Sequence, residues 1–195
     1  METLHIFDID GTVLDSMPMW ENLPFLYLQS LGIEAPSNLA EIIDPLTVPE
    51  TNRYIAETFN VPGGEEAVSA GIHEVLRDQY ANVLKPFDDI LPELDALRAE
   101  GARMVVFSNT PHIWLDLALE RCDLMKYFER VFSVEDIGIR KDYKESFLKV
   151  CELMDTPSEA SIVYDDSKYA LDAAEAAGCV IKKYDRYRGV KQRHK

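Results

Sequence analysis

The sequence predicts an α/β fold: a parallel sheet core covered by helices, with an all-helical segment inserted after its first strand. Three observations carry this. Short apolar runs at residues 4–7, 104–107, 131–134, 162–164 and 180–181 read as buried strands. Longer segments of helical period separate most of them, the pattern of βαβ units and parallel pairing. The stretch 16–84 breaks that alternation with no convincing strand of its own. In chain order, the first strand is Leu4-His5-Ile6-Phe7, and His5 inside it reads as a hydrogen-bonded core histidine. Asp15 and Ser16 ahead of Pro18 form a helix start, a capping side chain followed by proline in the first turn. Turns at Gly32, Pro45 and Val61-Pro62-Gly63-Gly64 then divide the inserted segment into several helices. Helical spacing returns at Leu91, Leu94 and Leu97, and again at Ile113, Leu117 and Leu119. The core is therefore assigned to residues 1–15 and 85–195 and the helical insertion to 16–84.

Composition narrows the function classes. The chain has 195 residues, 47% of them hydrophobic, enough for one domain with a modest insertion. No apolar run reaches the ~20 residues that cross a bilayer, and Met1-Glu2-Thr3-Leu4-His5 has no signal-peptide character. Cys122, Cys151 and Cys179 stand at spacings that fit neither a disulfide framework nor a zinc site, so a reducing, cytoplasmic setting is expected. A formal net charge of −15 argues against nucleic acid and anionic membranes as partners. The charge is uneven: residues 16–84 hold ten acidic residues against two basic ones, Arg53 and Arg77, whereas residues 182–195 carry a net +6.

Three predicted strands end in polar residues: Asp8-Ile9-Asp10-Gly11-Thr12, Ser108-Asn109-Thr110 and Asp165-Asp166-Ser167. Parallel strands bring these ends to one edge, the carboxyl edge where open α/β sheets bind ligands. Asp8, Asp10 and Asp166 gathered there would repel one another without a cation, and an all-oxygen set with room for water favours Mg²⁺. A calcium loop counted from Asp8 fails, because Thr12 and Met19 stand where acids are required.

These residues resemble the motifs of the haloacid dehalogenase (HAD) superfamily. Asp8-Ile9-Asp10-Gly11-Thr12-Val13 is similar to the first motif (DxDGT), Ser108-Asn109-Thr110 to the second, Lys141 to the third and Asp165-Asp166 to the fourth. The segment 16–84 lies where subfamily I members, the phosphoglycolate phosphatase and beta-phosphoglucomutase-like proteins, carry a helical C1 cap on a Rossmann-like core. The resemblance implies that Asp8 is the nucleophile, forming an aspartyl phosphate, and that Asp10 is the general acid and base. It implies Mg²⁺ held by Asp8, the Asp10 backbone carbonyl and Asp166, with Asp165 compensating for an acid missing at Ala170. Ser108 and Lys141 would meet the phosphoryl oxygens, with backbone N–H groups near Gly11 and Asn109 and the neighbouring Thr12 completing the cradle. Arg53 and Trp20 are candidate substrate contacts from the insertion.

Alternatives accompany several residues. Thr12 can simply cap or pack, and Ser108 can cap the helix that starts near Pro111. Lys141 stands beside Arg140 and Lys144, so a surface charge is the competing reading, and the usual Lys-Pro-x-Pro motif has lost both prolines here. The expected activity is Mg²⁺-dependent hydrolysis of a small phosphorylated metabolite by a monomer or weak homodimer, the insertion opening and closing on hinges near residues 13–16 and 81–87. A sugar-phosphate mutase is the alternative, and an inactive binding module a more distant one. A mutase must grip a remote phosphate with cations, and Arg53 and Arg77 are a poor supply.

Overall fold

A computed structural model of the chain describes residues 2–187. The inserted segment holds helices α1 (Met17–Glu21), α2 (Leu23–Ser30), α3 (Leu39–Ile43), α4 (Val48–Thr58) and α5 (Gly64–Asp78), closed by a π-helical turn, Gln79–Val83. The remainder holds α6 (Ile90–Ala99), α7 (His112–Arg121), α8 (Val134–Ile137), α9 (Lys144–Leu153) and α10 (Lys168–Ala176). Its strands are β1 (Leu4–Phe7), β2 (Arg103–Ser108), β3 (Arg130–Ser133), β4 (Ser161–Asp165) and β5 (Val180–Lys183). Five of five pair in parallel in the order β3-β2-β1-β4-β5, a Rossmann-like α/β sheet with its topological switch beside β1.

One expected strand moves: the run 131–134 is shifted to Arg130–Ser133, and Val134 begins α8 instead. The cause is local, since the Ser133 hydroxyl accepts from the Glu135 N–H while Asp136 reaches back to the Ser133 N–H, a capping box that turns the chain helical. The expected cap before α1 also differs. Ser16 is buried with no partner for its hydroxyl, and Asp15 accepts from the Tyr187 hydroxyl instead.

Alternation along β1 sets the two sides of the sheet. Leu4 and Ile6 join Val105, Phe107 and Val163 against Phe147 and Val150 of α9 and Ala170, Ala173 and Ala174 of α10. His5 and Phe7 point the other way by the two-residue period, where Phe7 stacks on Tyr164 at 4.1 Å between ring centroids. The His5 Nδ1 lies 2.7 Å from the Tyr164 hydroxyl, the satisfied core histidine the sequence suggested. In α7 the buried face is Trp114, Leu115, Ala118 and Leu119, so Ile113 looks outward.

The described residues group into two compact units, Pro18–Tyr80 and the chain on either side of it, up to Met17 and from Ala81 onward. The helical unit has its own core of Tyr27, Leu28, Leu39, Ile43, Ile55 and Val68. Thr47 and Glu50 form a capping box that starts α4. Mid-α5, Gly71 is required by packing: a Cβ there would stand 2.2 Å from a ring carbon of Tyr27.

The two linkers that lead to the helical unit are bound to each other. Asp15 N–H donates to the Lys85 carbonyl at 2.9 Å, Phe87 N–H donates to the Val13 carbonyl at 3.0 Å, and Leu14 bridges Pro86. The segment after β5 clamps this pair. Arg186 donates to both carboxylate oxygens of Asp89 at 2.6 and 2.8 Å and to the Thr12 carbonyl at 3.2 Å. Its guanidinium lies 4.1 Å from the Phe87 ring centroid. Part of the basic stretch 182–195 is thus used within the fold, Lys182 on Glu93 and Arg186 on Asp89, while 188–195 lie outside the described residues.

With its side chain 11% exposed, Arg186 holds more structure than a surface cation. Arg186→Ala is expected to lower unfolding free energy by about 1–3 kcal/mol, the loss of charge-assisted hydrogen bonds and a cation–π contact. Arg186→Lys should recover less than half, because a single ammonium cannot reach Asp89, bond the Thr12 carbonyl through a second nitrogen and lie flat on the Phe87 ring at once. Urea titrations of the three proteins test this.

Candidate active site

The register of β1 against β4 pairs Phe7 with Tyr164, so Asp8 and Asp165 follow side by side at the carboxyl edge. The Asp8 N–H continues the ladder by donating to the Tyr164 carbonyl at 2.9 Å. Between these carboxylates sits Lys141, brought in by the loop joining α8 and α9. Its ammonium donates to Asp8 Oδ1 at 2.7 Å and to Asp165 Oδ2 at 2.6 Å. The lysine side chain is 2% exposed, so the surface-charge reading of Lys141 is excluded, and its neighbours Arg140 and Lys144 stay exposed.

Asp165 uses its second oxygen as well, accepting from the Ser167 N–H at 2.9 Å and the Ser167 hydroxyl at 2.6 Å. Asp166 approaches from the same strand end. Its Oδ2 would lie 2.6 Å from a Cβ at position 11, and Gly11 has φ +83°, so both space and backbone conformation demand glycine there. One oxygen each from Asp8, Asp165 and Asp166 lie within 4.8 Å of one another, all three residues buried. Three buried carboxylates around one ammonium leave excess negative charge, and an all-oxygen set of this kind fits a hard divalent cation such as Mg²⁺. Since both Asp165 oxygens are engaged, Asp8 and Asp166 have the greater capacity to ligate.

Protonation follows the same crowding. Burial pushes the Asp8 carboxyl well above the usual carboxylate range, against the pull of Lys141, with Asp165 and Asp166 adding to the rise. Asp166 is pushed up to about 6, first by burial and then by Asp165. Burial opposes the charge on Lys141, but Asp165 and Asp8 outweigh it and hold the ammonium above its ordinary value.

On the β2 side, the Ser108 hydroxyl accepts from the Thr110 N–H at 3.0 Å. It does not cap the following helix, whose N-cap is Pro111. His112 is the first residue of α7 and meets Asp136 at 2.7 Å and Asp116 at 3.1 Å, a structural role. The Thr110 hydroxyl donates to Asp10 Oδ2 at 2.5 Å. The Asn109 side chain donates to the Tyr169 hydroxyl at 3.0 Å. The sequence alone gives Thr110, Ser167 and Tyr169 no role of their own. Thr110 and Ser167 lie within the polar strand ends, where a hydroxyl is the only signal, and Tyr169 carries none.

Other candidates fare differently. The Gly11 N–H is committed to the Leu14 carbonyl at 2.9 Å, so Gly11 serves by closeness to Asp166 and not as an anion donor. Thr12 is fully buried with its hydroxyl unpartnered, and its carbonyl takes the Arg186 bond. Arg53 and Trp20 belong to the helical unit. Arg53 is exposed and lies 3.4 Å from Glu65, and Trp20 packs edge-on to Tyr80 with 6.5 Å between centroids.

Comparison with known proteins gives a consistent frame. The family model described as haloacid dehalogenase-like hydrolase matches residues 4–178. A phosphorylated carbohydrates phosphatase of Thermotoga maritima is 24% identical over 89% of this chain and 80% of its own length. A solved Thermotoga maritima structure, provisionally named a beta-phosphoglucomutase, superposes with TM-score 0.81 at 25% identity, covering 93% of this chain and 84% of that one. Bacillus subtilis YfnB, provisionally a HAD hydrolase and solved bound to magnesium, is 18% identical with TM-score 0.78 over 97% of this chain and 90% of its own. That last likeness speaks to the fold.

The ammonium of Lys141 sets a prediction. Lys141→Met leaves Asp8 and Asp165 buried without a counter-charge, and in metal-free buffer at pH 8 it is expected to cost about 3–5 kcal/mol of stability. Lowering the pH to 5 should shrink that loss, because Asp8 and Asp166, with raised pKa values, take up protons instead. Denaturant titrations of both proteins at the two pH values measure it.

Proposed function

The chain belongs to the haloacid dehalogenase-like hydrolase family, and from that premise we propose that it is a Mg²⁺-dependent phosphatase acting on a small phosphorylated metabolite. The observation that carries this reading is the buried Lys141 ammonium shared by Asp8 and Asp165 beside Asp166. An ammonium so placed steers a phosphoryl oxygen toward Asp8 and favours the carboxylate form that attacks, opposing the burial that raises its pKa. Asp8 forms the new bond to phosphorus, the ester P–O bond breaks, and the leaving oxygen takes a proton from the Asp10 carboxylic acid. Water then attacks the aspartyl phosphate while Asp10, now a carboxylate, takes its proton, releasing phosphate and restoring Asp8. Ser108, whose oxygen already accepts from Thr110, has its own proton available for a phosphoryl oxygen. Asp8, Asp166 and the Asp10 backbone carbonyl would hold Mg²⁺, which when bound offsets repulsion between Asp8 and the phosphate and stabilises developing charge. The segment 16–84 acts as the cap that supplies specificity, and residues 1–15 with 85–195 as the catalytic core.

A monophosphate is favoured over a bisphosphate. Arg53 and Arg77, the two basic residues of the 16–84 stretch, are drawn to cap glutamates, Glu65 at 3.4 Å and Glu74 at 2.6 Å. A mutase needs such cations for a remote phosphate. The name of the Thermotoga maritima phosphatase makes phosphorylated carbohydrates the first substrates to assay. Among the described residues no helix is long and apolar enough to cross a membrane.

Purified protein assayed on sugar monophosphates, phosphoglycolate and nucleotides is expected to release phosphate only with Mg²⁺. Asp8→Asn should reduce the rate by about 10³-fold or more. An inert wild type across that panel, or an active Asp8→Asn, refutes the assignment; activity appearing only with a sugar bisphosphate activator points to the mutase.

Metal binding has a pH signature apart from turnover. Protons and Mg²⁺ compete for the same oxygens, so with Asp166 at about 6 and Asp8 also raised, Mg²⁺ should raise Tm at pH 8 and have little effect at pH 5. The metal-free protein should show the opposite slope. Raised carboxyl pKa values mean the folded state binds more protons than the unfolded state, so stability falls as pH climbs from the ordinary carboxylate range through about 6. Thermal scans with Mg²⁺ and with chelator check both.

A further inference from the structure

We infer that Thr110 is a positioning residue for proton transfer, fixing which oxygen of Asp10 delivers the proton to the leaving group; this rests on Asp10 being the general acid of the proposed phosphatase. Thr110 is buried at the start of the loop after β2, and its hydroxyl donates to Asp10 Oδ2 at 2.5 Å. A carboxylic acid has two oxygens, and a donor already on one sends the acidic proton to the other. With Thr110 on Oδ2, the transferable proton belongs on Oδ1. The same residue's backbone N–H donates to Ser108 Oγ at 3.0 Å, which turns the Ser108 proton away from the loop. One residue therefore orders two partners of the phosphoryl group: Ser108 through its main chain and Asp10 through its side chain.

The chemistry gives the role a specific readout. When Asp8 attacks and the ester bond breaks, the electron pair goes to the leaving oxygen. A sugar alkoxide is strongly basic and needs the Asp10 proton as it departs, whereas p-nitrophenolate is stable without one. A misdirected acid therefore slows alkyl phosphates and spares aryl phosphates. The ratio of kcat/KM for the two substrates isolates this step, because kcat/KM covers events only through formation of the aspartyl phosphate.

The experiment compares Thr110→Val, which keeps shape and removes the hydroxyl, with Thr110→Ser, which keeps the hydroxyl. Both are assayed with Mg²⁺ on a sugar monophosphate and on p-nitrophenyl phosphate. Thr110→Val is expected to lower kcat/KM about 10–100-fold on the sugar phosphate and less than about threefold on the aryl ester. Thr110→Ser should stay within about threefold of wild type on both. An equal loss on the two substrates, or no loss on either, overturns the inference. Thr110→Ala carries the same expectation and replaces valine should that variant not fold. Asp10→Asn separates the two levels: if it too loses equally on both substrates, the assignment of Asp10 as general acid fails, whereas a selective Asp10→Asn beside an unselective Thr110→Val removes only the role of Thr110.

Discussion

The buried ammonium of Lys141 is the contact on which the rest of the site depends. It comes from a loop between two helices, not from a strand end, and nothing in the parallel ladder holds that loop to the sheet. Two ion pairs do so, at 2.7 and 2.6 Å. Each carboxylate it meets is then fixed on its other side: Asp8 by the β1–β4 register and Asp165 by Ser167. Breaking one contact leaves a charge stranded in a poorly solvated place, which couples the three residues far more tightly than a surface pair.

Strand order explains why such chemistry gathers here. With β1 central, the ends of β2 and β4 flank it, so Ser108 and Thr110 approach from one side and Asp165 and Asp166 from the other. Much of this was legible in the residues. Apolar runs marked the strands, and the polar residues immediately after three of them marked the edge. What stayed hidden depended on spatial details that a linear pattern does not encode. The loss of two prolines made the Lys141 loop look unsupported, because its anchors lie 24 and 133 residues away in the chain. The glycine of the first motif reads as an anion donor in sequence, but in the fold its N–H is bonded to the Leu14 carbonyl. The end of the run 131–134 read as strand because a capping box at Ser133 competes with apolar periodicity and wins.

The strong acidity of the chain takes on a more specific meaning when placed in the structure. The few cations of the helical unit are held by its own glutamates, and Lys182 and Arg186 are held by Glu93 and Asp89. Among the described residues, much of the positive charge is therefore spent on internal pairs, while the candidate site holds a buried ammonium between its carboxylates. Such an arrangement leaves the described surface repulsive to polyanions, with local charge compensation confined to the buried site.

The paired linkers carry a consequence for how the molecule can change over time. Because residues 13–15 and 85–87 are bonded to each other and clamped by Arg186, the helical segment leaves and re-enters the sheet domain at a closed neck. The entropy of closing that long loop is met at the neck, by contacts that involve no residue of Pro18–Tyr80. A segment attached in this manner behaves as a cassette. The bonds of the neck fall outside Pro18–Tyr80, so a change of length or helix count within that unit leaves the paired linkers themselves intact.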